Sequence, residues 1–108
     1  MFFRQDNSSS SENSLAKLID LAKNNEAEFI NYHNAFFPEF NNNLLELAPD
    51  LTVTELSTCA YIQLRFSSKE IAQYTKNSIG AIETRKYRIR KKLNTSDEKN
   101  LYLLLSSL

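Results

Sequence analysis

The sequence predicts an all-α fold, a small helical domain with a helix-turn-helix preceded by a long amphipathic helix. Three observations lead there. The 108 residues include one Gly, Gly80, and two prolines, Pro38 and Pro49, far too few for a turn-rich β architecture. Apolar residues recur at steps of three and four, the period of a helix with one buried face. Three Ser/Thr-x-x-Glu patterns, at Thr52, Ser67 and Thr95, have the form of helix-opening capping boxes.

Residues 1–13 come first. The segment RQDNSSSSEN is polar and low in complexity, with nothing to bury, and reads as a disordered tail. Ser11 or Ser14 is placed to cap the first helix. From Leu15 an apolar stripe runs through Leu18, Ala22, Phe29, Tyr32 and Phe36, flanked by Ile19, Ile30, His33 and Phe37. It predicts one helix of about six turns, interrupted only by Asn25 and ending near Pro38. Two uses of that stripe are open. Its heptad-like spacing suits a homodimer through the 15–37 helix, with an Asn at the seam fixing register. Alternatively, the aromatics pack on the rest of the domain.

A short helix over Phe40 to Leu47 comes next, weakened by Asn41, Asn42 and Asn43 and ended by Ala48-Pro49-Asp50. The first box opens a helix through Leu56, Cys59, Ala60, Ile62 and Leu64, and the second opens the short SKEIAQY. Ser78 is the expected N-cap of the longest helical pattern, 78–93, with Ile82, Ile89 and Leu93 inward and Ile79 at the edge. Thr95-x-x-Glu98 opens a last helix carrying Leu101, Leu104, Leu105 and Leu108, a second candidate dimer surface. The organisation is thus a tail over 1–13, a helical lead-in over 14–48 and a helix-turn-helix domain over 49–108.

The net charge of zero conceals an asymmetry. Residues 1–64 carry 3 Lys or Arg against 9 Asp or Glu, whereas residues 65–108 carry 10 against 4. A basic half in a neutral chain suggests that this half meets a polyanion. The lone Cys59 has no partner for a disulfide or a metal site, and it reads as a buried small hydrophobe. His33, the one histidine, reads as structural. Neither a signal peptide nor a membrane span is evident, so a cytoplasmic protein is expected. Catalytic constellations and Gly-rich phosphate loops are lacking, so no enzyme activity and no cofactor are expected.

The functional signal lies in RKYRIRKK, residues 85–92, six cations in eight positions. With Ile82, Ile89 and Leu93 inward, the opposite face presents Gly80, Glu83, Thr84, Tyr87, Arg88 and Lys91. Donors, an acceptor and a phenol suit the reading of base edges in a major groove, with cations beside them for phosphates. Ser67, Ser68 and Lys69, at the start of the preceding helix, suit a phosphate contact through backbone amides and the positive end of the dipole. A salt bridge to Glu70 or Glu55 and a DNA contact are equally open for Arg85.

The stretch from Leu51 to Leu93 resembles the LuxR-type helix-turn-helix of bacterial transcription regulators. The matching residues are Leu51, Thr52 and Glu55; Lys69 to Ala72; Ser78, Ala81 and Ile82; and Ile89, Lys92 and Leu93. Cys59-Ala60-Tyr61-Ile62, together with Glu83, Arg85, Tyr87 and Arg90 to Leu93, is most similar to the Bacteroidetes branch. FINYHNAFFPEF, residues 29–40, also looks like the helix preceding the motif there. The resemblance covers about 65 residues. It implies Glu83, Thr84, Tyr87 and Arg88 as base-facing residues, and Ser68, Lys69, Lys86, Arg90 and Lys91 as backbone contacts. Two positions depart from the family pattern: Thr75 stands where a Leu is usual, and Asn77 where an Ile or Val is usual. Ile79 is placed to move inward in compensation, and Lys76 or Asn77 must take any left-handed conformation in a turn without Gly.

The expected function is therefore sequence-specific binding of double-stranded DNA by a transcription regulator acting as a homodimer, either a small whole protein or a piece of a larger one. The rival is a protein-interaction module whose basic face docks an acidic partner or RNA polymerase. RNA binding is a weaker rival, since the basic half lacks aromatic stacking platforms.

Overall fold

A computed structural model describes residues 14–108, in which seven helices follow one another with no strand. α1 covers residues 14–24, α2 Glu26–Phe36, α3 Phe40–Leu47, α4 Val53–Gln63, α5 Ser68–Thr75, α6 Ile79–Lys92 and α7 Glu98–Ser106. The chain is all-α. The expected disordered tail, residues 1–13, lies outside the described residues.

The long helix expected over 15–37 is two helices. Asn25 is extended (φ −155°, ψ 92°), and its side chain accepts from the Glu28 amide at 3.2 Å, capping α2. The physical reason is local competition: an Asn side chain can bond its own backbone instead of continuing a helix. Asn24, just before it, also turns its side chain back, onto the Asp20 carbonyl at 2.9 Å. The residue considered for a dimer seam is thus a helix cap.

α4 is the hub, packing against α2, α6 and α7. Glu55, Thr58, Cys59, Ala60, Tyr61 and Ile62 are all buried, which a helix surrounded on several sides requires. Its start is the Thr52 capping box, with Glu55 N donating to Thr52 Oγ1 at 3.1 Å and Thr52 N donating to Glu55 Oε1 at 2.9 Å. The lead-in docks on this hub through aromatic rings. Phe29 and Tyr61 lie 4.5 Å apart between centroids, and His33 sits 5.0 Å from both Phe37 and Phe40. The Tyr61 hydroxyl donates to the Ala22 carbonyl at 3.3 Å. Leu18, Ala22, Phe29 and His33 are therefore buried within the chain itself, and the first three share one cluster with Ile71, Ile82, Ile89, Leu101 and Leu105. Burying each large apolar side chain contributes about 1.5–3 kcal/mol. The segments divided at 48/49 share this core.

Three turns close helices with left-handed residues, and none is Gly: Arg65 (φ 71°), Lys76 (φ 59°) and Asn94 (φ 57°). In each case the next amide reaches back five residues: Phe66 to Tyr61 O, Asn77 to Ala72 O and Thr95 to Arg90 O, at 3.2, 2.9 and 2.9 Å. This is a Schellman-type closure, which satisfies carbonyls that a helix end would leave open. The closure after α6 moves the start of α7. Thr95 does not open that helix, because its amide is already bonded to Arg90; Asp97 caps it instead, accepting from the Asn100 amide at 2.8 Å. Among the described residues no helix is long and apolar enough to cross a membrane.

Candidate nucleic-acid interface

α5 and α6 pack against each other across the turn at Lys76 and Asn77, and Ser78 caps α6 by accepting from the Ala81 amide at 3.0 Å. The two positions that depart from the family pattern bond to each other. Asn77 Nδ2 donates to Thr75 Oγ1 at 2.8 Å, and Thr75 Oγ1 donates to the Ile71 carbonyl at 2.7 Å. The turn is thus held by polar contacts where the LuxR-type pattern usually has an apolar pair. Ile79 does not move inward to compensate: it stays 50% exposed. Lys76, and not Asn77, takes the left-handed conformation.

Ile82, Lys86 and Ile89 are the buried side of α6, and Leu93 follows at its C-terminus. Gly80, Glu83, Thr84, Tyr87, Arg88 and Lys91 are exposed on the other side. A Cβ built on Gly80 meets nothing within 4 Å, so the fold itself makes no demand for Gly there. Tyr87 is 54% exposed, and the Lys91 ammonium lies 5.6 Å from its ring centroid. Arg88 and Lys91 form no ion pair among the described residues.

Of the remaining cations of RKYRIRKK, Arg85, Lys86 and Lys92 bond to groups of the fold itself. Lys86, expected at a phosphate, is buried, and its Nζ donates to Glu98 Oε1 at 2.7 Å. That hydrogen bond holds the Glu98 carboxyl below its ordinary pKa against the opposing effect of burial, with the charges of Lys86 and Arg90 adding to it. The correction has a helical cause: Lys86 lies four residues after Ile82 and three before Ile89, so it falls on the inner stripe. Arg90, also expected at a phosphate, is half-buried, with its Nη1 fully enclosed. Lys92 Nζ donates to Glu55 Oε1 at 2.7 Å and to the Asp50 carbonyl at 2.9 Å. Burial raises the Glu55 pKa, but Lys92 and the Thr52 backbone outweigh it and leave it below the ordinary value. Arg85 takes neither Glu70 nor Glu55; its Nη1 donates to Thr58 Oγ1 at 3.2 Å.

At the start of α5 the three expected phosphate contacts differ. Ser67 is committed to its capping box: its hydroxyl accepts from the Glu70 amide at 3.1 Å, and its amide donates to Glu70 Oε1 at 2.9 Å. Ser68 donates its hydroxyl to the Glu83 carboxylate across the α5–α6 groove. Lys69 is exposed. Sequence reasoning missed Arg65, which closes α4 and lays its guanidinium 4.8 Å from the Tyr102 ring centroid. It borders a cleft of about 330 Å³ that Ser67, Ser68 and Lys99 also line. Only the packing of α7 beside α4 brings Arg65 and Tyr102 together, and no local pattern carries that information.

Cys59 is fully buried, and burial first and the Glu55 charge second push its thiol up to about 12, away from reactivity. Burial likewise lowers the His33 pKa, partly offset by the Gln63 side chain, whose Oε1 lies 2.5 Å from Nε2. Among the described residues no group of three or more His, Cys, Asp or Glu is placed to hold a metal ion. A scan against protein-family models finds no match. Searches of curated proteins and of solved structures find none either.

Proposed function

We propose that this chain binds double-stranded DNA sequence-specifically, as a transcription regulator, with α6 in the major groove and α5 crossing the backbone. One observation carries the reading. The outer side of α6 is exposed from Gly80 to Lys91 and combines an acceptor, donors and cations, none of them buried in the fold's own packing. A solvated helix face needs charge for solubility but has no need of Gly at position 80, where Ala would favour the helix by about 0.5–1 kcal/mol. Gly suits the close approach of a partner's surface. Glu83, Thr84, Tyr87 and Arg88 would face base edges, and Lys69 and Lys91 the phosphates. Such a role accords with a cytoplasmic protein and with the LuxR-type resemblance of residues 51–93. A homodimer on a two-fold site belongs to the same proposal; its remaining exposed apolar residues include Leu15, Phe36 and Leu103.

The test is fluorescence anisotropy of a labelled duplex, selected from genomic fragments, at two salt concentrations. Binding should weaken with salt by about 0.9 in log-log slope per phosphate contacted. Arg88→Ala combined with Lys91→Ala should weaken it further. A folded protein that binds no duplex at low salt would overturn the reading. A second reading rests on Ile79 and Tyr87, both about half exposed on this face. They favour a protein partner, such as RNA polymerase, whose binding would depend less on salt than on these two side chains.

A further inference from the structure

Glu83 is an anion on a surface proposed to meet a polyanion, and the fold does not leave it loose. Ser68 is the first residue of α5 and Glu83 lies in the second turn of α6, fifteen positions later in sequence. The packing of α5 on α6 brings the Ser68 hydroxyl to Glu83 Oε2. Neither side chain gains from burial, since Glu83 is exposed and Ser68 only half-buried.

We infer that Ser68 is a positioning residue for specificity: it holds the Glu83 carboxylate so that the remaining oxygen, Oε1, accepts from a base amino group in the major groove. The inference rests on the DNA-binding reading of α6. An ionised carboxylate only accepts, and the amino groups offered in the major groove are cytosine N4 and adenine N6. With one oxygen already bonded to Ser68, the side chain is ordered before DNA arrives. Gly80, three residues earlier on the same face, adds no bulk between α6 and the base pair that Glu83 would meet. The Ser68 hydroxyl donates to Glu83, so Ser68 contributes to base discrimination instead of to general phosphate affinity.

The experiment selects duplexes from randomised DNA with the unaltered chain, then measures binding to every single base-pair variant of the best duplex. It repeats the measurement with Ser68→Ala, Ser68→Thr, Glu83→Ala and the Ser68→Ala, Glu83→Ala pair, each checked for folding by its thermal transition. Glu83→Ala should abolish the preference at one base pair while raising affinity for scrambled duplex. Ser68→Ala should reduce the preference at that same base pair by about threefold or more, a part of the discrimination that one good base contact supplies. Its affinity for scrambled duplex should not change, and it should have no further effect once Glu83 is Ala, the signature of a coupled pair. Ser68→Thr, which keeps the hydroxyl, should retain the preference. A Ser68→Ala profile like that of the unaltered chain, or a uniform loss across all duplexes, would overturn the inference. So would the absence of any base pair sensitive to Glu83. Failure of the unaltered chain to enrich any duplex would instead remove the DNA reading itself, and this inference with it.

Discussion

Along α6, Lys86 and Lys92 pair with carboxylates of the chain's own fold, exposed Glu98 and buried Glu55, whereas Arg88 and Lys91, one or two positions away, end in solvent. The two sides of this helix are drawn from the same basic run, yet they answer to different physics. On the inner side Lys86 and Lys92 lose part of their hydration and take fixed partners, Glu98 and Glu55. On the outer side a cation keeps its hydration and makes no contact that stabilises the fold. A count of positive charge in the sequence therefore overstates the charge on offer to a ligand. The informative part of the surface is the smaller set of Arg88, Lys91 and Lys69, with the exposed acceptor Glu83 among them.

This division can be broken or sharpened by substitution. The largest effect belongs to the inner stripe: Ile89→Ala should lower the free energy of unfolding by about 2–5 kcal/mol in urea titrations, because Ile89 is fully buried. A loss below about 0.5 kcal/mol would contradict the inner assignment. Next is Lys92→Ala, which removes the partner of buried Glu55 and should destabilise by about 1–3 kcal/mol at neutral pH. Because the folded Glu55 pKa lies below its ordinary value, the stabilisation is complete above the unfolded carboxyl pKa, about 4.3. It is lost as pH falls through the lowered folded value. The unaltered chain should accordingly lose more stability than Lys92→Ala between neutral and strongly acidic pH.

The outer side should respond in the opposite way. Arg88→Ala with Lys91→Ala should leave stability within about 0.5 kcal/mol. With Lys91 on phosphate and Arg88 on a base edge, the salt slope of duplex binding should flatten by about 0.9. One outer substitution should bring a gain in stability. Gly80→Ala has open space for its methyl group and should raise stability by about 0.5–1 kcal/mol, read from the melting transition. Its duplex affinity should fall if α6 approaches the groove most closely there, and equal affinity would place the closest approach elsewhere on the helix.

Much of the helical framework was legible in the sequence, because capping is local. The boxes at Thr52 and Ser67 and the cap at Ser78 lie where their patterns put them. Thr95 shows the limit of that rule: the pattern was present, but the closure of α6 had already claimed its amide. Asn25 shows the converse, since the apolar stripe runs on across it while the side chain turns back to cap. The outer residues of α6 were legible from the 3.6-residue period once Ile82 and Ile89 marked the inner side. The burial of Lys86 followed from the same period but was hidden by the expectation that a cation stays outside. Its partner Glu98, like the pairing of Ser68 with Glu83 and of Arg65 with Tyr102, depends on how separate helices come together. No spacing within one helix encodes that.

The break at Asn25 also bears on how this protein opens. α1 is separated from α2 by a residue without helical geometry, and its fully buried side chains include Leu18 and Ala22. It is tied to the hub by the hydroxyl of Tyr61 on the Ala22 carbonyl. A segment so attached can detach as a unit while the rings of Phe29 and His33 stay packed, because the cap on α2 needs nothing from α1. Hydrogen exchange should therefore divide the molecule, with the amides of α1 exchanging through a low-energy local opening and those of α4 only when the whole domain unfolds.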